Sequence, residues 1–393
     1  MSKAVRIEPD LQFIKDLQAV GGDSLKKCYQ CATCSVACPL SPADAPYPRK
    51  EMVWAQWGLK DKLVNDIDIW LCHNCGTCSD LCPRGAKPGD LLAALRNMAY
   101  RSLVSPTILG TWMSSSKYLP ILVAIPAALW LFVWYLTTGL TIPEGDIVFG
   151  KIFPGDYTID PIMSLTFFFM VASFVLGVSR LIKSFGAAGG TYYVGEHKKP
   201  SVLNCIKDVL FNEVGQHANF KECGGEVQKP EDEERFKGHL ALFYSFVILA
   251  VVTGLIAFGH WGGKVIHFLE PMGHTPLPLY APHKFAALVG MCLGIYGLVK
   301  LTSRRMNLDQ SKTKSSYYDW YLLGVVWAVF ATGAGALLFR LAGVATLAYV
   351  TYYVHLVAVW MLFAYLPWSK LGHLVYRTVA LIYARYIGRV PLS

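Results

Sequence analysis

Two copies of one cysteine string constrain this chain more than any other feature. Cys28-x2-Cys31-x2-Cys34-x3-Cys38-Pro39 is followed, across a 33-residue gap, by Cys72-x2-Cys75-x2-Cys78-x3-Cys82-Pro83. Three thiolates from one tight turn can grip three corners of an iron–sulfur cube, and the fourth corner takes a cysteine from elsewhere. The spacing therefore predicts two [4Fe–4S] clusters with crossed fourth ligands. One cluster is assigned to Cys28, Cys31, Cys34 and Cys82, the other to Cys72, Cys75, Cys78 and Cys38. Structural zinc is the competing reading, but it usually takes paired CxxC knuckles rather than triple runs. The pattern points to one-electron transfer.

The rest of the chain is of another kind. Residues 1–117 hold the motif cysteines, many charges and no long apolar run, whereas apolar and aromatic stretches dominate from Tyr118 onward. With 54% hydrophobic residues overall, this implies a membrane protein carrying one soluble domain. Met1–Asp16 mixes charged and apolar residues without a signal-like apolar core. The first domain is accordingly expected in the cytoplasm, where thiols stay reduced. Cys205, Cys223 and Cys292 have no cysteine partners at metal-ligand spacing and read as inert. The net charge of +9 is concentrated beside the apolar runs, which excludes nucleic acid and fits the enrichment of Lys and Arg on the cytoplasmic side of membranes.

Six runs of spanning length are predicted, at 119–140, 161–183, 239–259, 283–302, 319–340 and 347–367. The segments 184–238 and 303–318 and the tail carry the basic residues, among them Lys207, Arg235, Arg304, Arg305, Arg377 and Arg389, and belong inside. The outer loops 141–160 and 260–282 have one lysine each, Lys151 and Lys264. The expected fold is all-α: a helical two-[4Fe–4S] ferredoxin-like domain (1–117), followed by a six-helix transmembrane haem b bundle. Within it 118–183 holds two spans, 184–238 a cytoplasmic loop, 239–372 a four-helix haem core and 373–393 an amphipathic, interfacial tail.

Ionisable residues at membrane depth are costly and mark functional sites. His355 lies within the last run and His373 just past its inner end. Eighteen residues make five helical turns, so on one helix both would share a face about 27 Å apart, shortened by a kink at Pro367. That suits two stacked haems, each needing a second axial ligand. The expected pairs are His239–His373 for an inner haem b and His283–His355 for an outer one, with His260 as a substitute for His283. Gly290, Gly294 and Gly297 would leave a low surface for a flat macrocycle, or simply for close helix contact. A histidine at a span end is often a polar cap, which is the plain reading of His260, His267 and His274. No CxxCH string is present, so covalent haem attachment is not expected.

At this point the residues match known families. Residues 25–105, with Ile69-Trp70-Leu71-Cys72 and Cys82-Pro83-Arg84-Gly85, resemble the iron–sulfur C subunit of heterodisulfide reductase. The second half resembles the haem b membrane subunit of respiratory nitrate reductase, closest from His355 through Pro367-Trp368-Ser369-Lys370-Leu371-Gly372-His373. The fusion is similar to the C subunits of the quinone-interacting membrane-bound oxidoreductases of sulfate reducers. Two departures stand out: Leu249 occupies the place of a second histidine ten residues after His239, and Glu222-Cys223-Gly224-Gly225 lacks the paired cysteine of the heterodisulfide-cleaving subunit. No GxGxxG signals a flavin site.

The resemblance implies an inner-membrane subunit relaying electrons from menaquinol, through haem b and the clusters, to cytoplasmic flavin and iron–sulfur subunits that feed adenylylsulfate reductase. The outer loop with His260, Trp261, His267, Glu270 and His274 offers proton acceptors for a quinol. Two other readings stay open: an anchor for a heterodisulfide- or sulfite-reductase complex, and a membrane-tethered ferredoxin without haem.

Overall fold

A computed structural model describes residues 8–42, 46–187, 200–218, 230–273 and 275–390. Among the described residues the chain is helical, with no strand. In the N-terminal part Leu11–Ala19 begins at Asp10, whose carboxylate accepts the Phe13 N–H at 2.8 Å and satisfies one otherwise orphaned donor. Pro88–Leu103 starts with proline in the first turn, where its missing N–H costs nothing. Its buried face (Leu91, Leu92, Leu95, Ala99, Tyr100) forms the spine on which the short cysteine-bearing turns pack.

Six helices are long and apolar enough to cross a membrane: Ser116–Thr138, Gly155–Gly186, Glu233–Gly263, Pro282–Met306, Tyr317–Leu341 and Ala345–Ala364. Large apolar side chains such as Phe132, Leu136, Leu165 and Phe168 point outward and are more than half exposed. That arrangement is tolerable only against lipid. The third span packs along the fourth, and the fifth along the sixth.

Two details differ from the sequence expectation. The helix of the third span begins at Pro230, so His239 lies inside it rather than at its mouth; the charged turns around Glu233, Glu234 and Lys237 simply extend it beyond the apolar stretch. The sixth span ends at Ala364 and is followed by tight turns at Leu366–Trp368 and Lys370–Gly372. Pro367 cannot donate to the preceding turn, so the helix stops instead of kinking. His373 opens a new helix, His373–Tyr386, and no longer shares a continuous face with His355.

That last helix was expected on the membrane surface. It packs instead between the cysteine domain and the segment 202–215, burying Tyr376, Ala380, Leu381 and Ala384. Tyr376 meets Trp70 and Tyr100 with ring centres 5.9 and 5.7 Å away, so one hydrophobic core joins the soluble domain to the spans. Asp90 ties the loop before the fifth span to the same domain, accepting from Thr313 Oγ1 at 2.7 Å and Lys314 N at 2.9 Å. The cysteine domain, this loop and the tail therefore lie on one side of the bundle.

Buried charges pin the tail. Arg389 donates from Nε and a terminal nitrogen to the two oxygens of Asp68 at 3.0 and 2.7 Å, with both side chains fully buried. Asp68 and its neighbours Glu51 and Asp66 also surround Lys50 Nζ at 2.6, 3.3 and 3.0 Å, so an ammonium already fills that carboxylate cluster. Removing one member of a buried pair strands the other. Arg389→Ala is expected to cost about 3–5 kcal/mol, measured by denaturant unfolding of the domain followed through cluster absorbance; a loss below about 1 kcal/mol would place the pair in solvent.

Candidate functional site

The two cysteine strings fold alike. In the first, Gln30 and Ala32 take left-handed backbone conformations (φ 61° and 69°); in the second, Asn74 and Gly76 do so (φ 53° and 95°). These reversals turn successive N–H groups inward, as a nest does around an anion. Gln30 N donates to Cys28 Sγ at 3.4 Å and Asn74 N to Cys72 Sγ at 3.3 Å. Thr33 and Thr77 hydroxyls stand 3.3 and 3.4 Å from Cys31 and Cys75 Sγ. The sequence CxxCxTCS is thus a repeated backbone device as well as a ligand spacing.

The sulfurs group in two fours. Burial, and then the neighbouring Cys28, Cys82 and Cys31, push the Cys34 thiol up to about 11. Burial with Cys72 and Cys75 beside it pushes Cys38 up to about 12. Cys78 is raised by burial and then by Cys72, Cys75, Cys38 and, least, Cys34. These couplings join the last cysteine of each string to the other string, Cys82 to Cys34 and Cys38 to Cys72 and Cys75, as the crossed assignment expects. Such a set ionises fully only around a positive core, which iron provides. A cavity bounded by Cys38, Cys72, Cys75, Cys78 and Gly89 lies at the second four. A Cβ on Gly89 would lie in ordinary contact with Cys78 Sγ at 3.7 Å and tightly against the Asn74 side chain at 3.2 Å.

The second four faces the bundle. Cys72 ends the segment Asp68–Leu71, whose carbonyls are held by arginines from distant parts of the chain. Arg377 donates to Trp70 O at 3.0 Å, and Arg96 to Ile69 O and Cys72 O at 2.9 and 2.6 Å. Arg235, from the first turns of the third span, donates to His73 O at 2.5 Å. His73 follows Cys72 directly and accepts from Arg377 through Nε2 at 2.7 Å. Burial, then Arg377, Arg235 and Arg96, push its pKa well below the usual imidazole range. The first four is more open: Cys31 is exposed, beside exposed Tyr29 and Val36.

Just inside the bundle three histidines converge. His239 and His373 face each other with ring centres 6.2 Å apart. An iron about 2 Å from each imidazole nitrogen, with each ring centre about 1 Å beyond, sets centres about 6 Å apart. The remaining nitrogens are engaged as ligating histidines require. His373 Nδ1 donates to Lys370 O at 2.6 Å, and His239 Nδ1 meets His217 Nε2 at 2.9 Å. Burial pushes His373 down to about 4, keeping it neutral and able to ligate. This pair fits a bis-histidine haem. His217 was not anticipated: it lies outside every apolar run, and only folding brings it against His239.

The other expected pair is not brought together. His355 Nδ1 meets Thr332 Oγ1 at 3.1 Å, and its ring lies against Gly333, where a Cβ would stand 3.0 Å from it. His283 is the second residue of its helix, whereas His355 is the eleventh of its own. Both helices run toward the cysteine domain, and His355 lies nine residues further along its own helix than His283 along its own, about 13 Å of rise. Among the described residues no hydrogen bond or ring contact links the two. The glycine stripe is likewise filled by protein: Gly290 and Gly297 receive the third span, and Phe330 covers Gly294. Close helix contact, not a macrocycle, explains those glycines.

At the opposite end of the third span His260 donates to Asp156 of the second span. His267 and Glu270 are largely exposed. His274, with Cys223, lies outside the described residues.

Comparison with known proteins agrees with the cysteine geometry. Residues 24–86 match the family described as 4Fe-4S dicluster domain, so this part of the chain is an iron–sulfur domain. The chain is 38% identical over 94 residues to the C subunit of the H(2):CoB-CoM heterodisulfide,ferredoxin reductase of Methanothermobacter marburgensis, covering 24% of this chain and 50% of that protein. It is 40% identical over 76 residues to the iron-sulfur C subunit of the CoB–CoM heterodisulfide reductase of Methanopyrus kandleri (19% and 40% covered). The C 2 iron-sulfur subunit of the Methanocaldococcus jannaschii enzyme is 43% identical over 76 residues (19% and 40%). The chain spans about half the length of the curated relatives it matches. No solved structure matches it.

Proposed function

We propose that this chain is the membrane electron-transfer subunit of a quinone-linked oxidoreductase. It connects menaquinol, haem b and two [4Fe–4S] clusters with cytoplasmic flavin and iron–sulfur subunits, which supply adenylylsulfate reductase in sulfate respiration. It resides in the inner (cytoplasmic) membrane, with the iron–sulfur domain and C-terminal tail inside. The observation that carries the reading is the facing pair His239–His373, 6.2 Å between ring centres, beside the Arg377–His73 contact that leads to Cys72.

Bound haem and clusters supply one-electron carriers, which the protein positions and tunes. Cys28, Cys31, Cys34 and Cys82 hold one cluster and Cys72, Cys75, Cys78 and Cys38 the other. His239 and His373 hold the inner haem, and His217 and the Lys370 carbonyl fix their ring orientation. His355, oriented by Thr332, is retained as a ligand of an outer haem; the geometry gives no support to His283 as its partner. Arg377 and Arg235 place positive charge between haem and cluster, which favours the reduced, more negative forms.

The relatives favour a second reading, in which the cytoplasmic partner is of the heterodisulfide reductase kind. Co-purifying subunits decide between the two. The decisive experiment for either is anaerobic isolation of the complex with haem and iron quantification. The expected result is a reduced-minus-oxidised band near ~560 nm that a menaquinol analogue alone can generate. A preparation with full iron but no such band would leave a membrane-tethered ferredoxin.

A further inference from the structure

Two arginines from the membrane part of the chain reach the second cysteine string, and each stands one turn from an imidazole of the facing pair. Arg235 precedes His239 by four residues on the helix Pro230–Gly263, and Arg377 follows His373 by four on His373–Tyr386. Residues four apart share a helix face. Arg235 donates through a terminal nitrogen to His73 O. Arg377 donates to Trp70 O through Nε and to His73 Nε2 through a terminal nitrogen, at 3.0 and 2.7 Å. Arg96, from the cysteine domain itself, takes Ile69 O and Cys72 O. The backbone on both sides of Cys72 is thus held from three helices.

The His73 carbonyl is one end of a peptide unit whose other end is the Asn74 N–H. That N–H donates to Cys72 Sγ at 3.3 Å. A guanidinium on the carbonyl polarises the peptide and strengthens the bond its N–H makes to sulfur, because hydrogen bonds in a chain reinforce one another. Gaining an electron makes a [4Fe–4S] cluster one charge more negative. Hydrogen bonds to its sulfurs and nearby positive charge favour that form. His73 is buried, so these charges act where water screens them little. The first string offers the contrast. Its equivalent N–H, that of Gln30, donates to Cys28 Sγ from the Tyr29 peptide. The arginine nearby, Arg49, is exposed and takes the next carbonyl along, Gln30 O, at 3.0 Å.

We propose that Arg235 and Arg377 are positioning residues for the second cluster, and that through them the membrane bundle raises that cluster's reduction potential. Arg235 acts through the His73–Asn74 peptide on Cys72 Sγ. Arg377 fixes the Trp70 carbonyl and the His73 ring on the same turn. Among the described residues no side chain of the spans or the tail helix bonds to residues 28–38, whose side-chain contacts stay within the cysteine domain. The two clusters are therefore tuned separately, the second by the bundle and the first by its own domain. The inference rests on the cluster ligands assigned above and not on the quinone-linked reading.

The test is an anaerobic redox titration of the full complex. Dithionite and mediator dyes supply the single electron each cluster takes, and electron paramagnetic resonance reads the reduced signals. Cys82→Ser, which spoils the first cluster, identifies the signal of the second. Arg235→Gln and Arg377→Gln are each expected to make reduction of the second cluster about tenfold less favourable, a fall of about 59 mV for one electron. The first cluster should not move. Arg235→Lys and Arg377→Lys keep the charge but lose the planar fork of donors. They should lower the potential less, and they stand in for any Gln variant that fails to hold iron. No shift in the variants that hold iron, or an equal shift of both clusters, would overturn the proposal while leaving the ligand assignment intact. A wild-type complex holding iron for one cluster only would overturn both.

Discussion

Replacing His373 with alanine is expected to remove the inner haem and leave the iron–sulfur clusters in place. His239 and His373 approach from helices far apart in sequence, and each has its Nδ1 engaged elsewhere. Their ring centres, 6.2 Å apart, match one iron held between them, and losing either imidazole removes half of its axial ligation. The ~560 nm band should fall by at least half, and iron attributable to the clusters should not change. His217→Ala acts one shell out. It frees the His239 ring without removing a ligand, so haem should bind about 10–100-fold more weakly and be lost on detergent washing. A full band in His373→Ala, stable to washing, would show that these histidines are only packed together.

Paired cysteine substitutions should produce the second large effect, because they report the crossing directly. Cys28 and Cys82 are assigned to one cluster although they are 54 residues apart, whereas Cys72 and Cys82, from the same string, are assigned to different clusters. Substitutions within one interacting unit are non-additive, and those in separate units add. Cys28→Ser with Cys82→Ser should therefore retain about half of the iron, no less than either alone. Cys72→Ser with Cys82→Ser should lose nearly all of it. An uncrossed arrangement reverses the two outcomes, so iron analysis and electron paramagnetic resonance of four variants decide it. Two single variants, one of them new, separate the carriers by position. Cys38→Ser damages the cluster beside Arg377 and His73, while Cys82→Ser damages the more open one.

The cysteine triplets illustrate what was legible from residues alone. A ligand set whose members lie within one or two turns is a local property, because chain geometry fixes how far apart three thiols can stand. The same holds for the spans, where about 20 apolar residues have no comfortable place but a bilayer core. Both expectations are short-range statements. The histidines were legible only as candidates. His239 and His373 were paired from their expected depth, but that reasoning also paired His283 with His355, which no hydrogen bond or ring contact links among the described residues. The error came from treating position along a hydropathy run as position in space. The stop at Pro367 was underestimated for a related reason: whether a proline bends or ends a helix depends on what receives the following turn, and here Trp368, Gly372 and Tyr376 are buried against other elements.

The chain alone thus determined its kind of chemistry, the eight candidate thiol ligands, the all-helical fold and the number of membrane-length helices. Those features follow from covalent spacing and from the free energy of moving apolar side chains out of water, and neither needs a distant contact. Only the tertiary structure decided which imidazoles face one another, that His217 stands behind His239, that Arg377 joins the tail to His73, and that Asp156 meets His260 across 104 residues of chain. Such pairs are selected by how helices pack, and packing depends on the complementarity of whole surfaces. No single residue spacing encodes it.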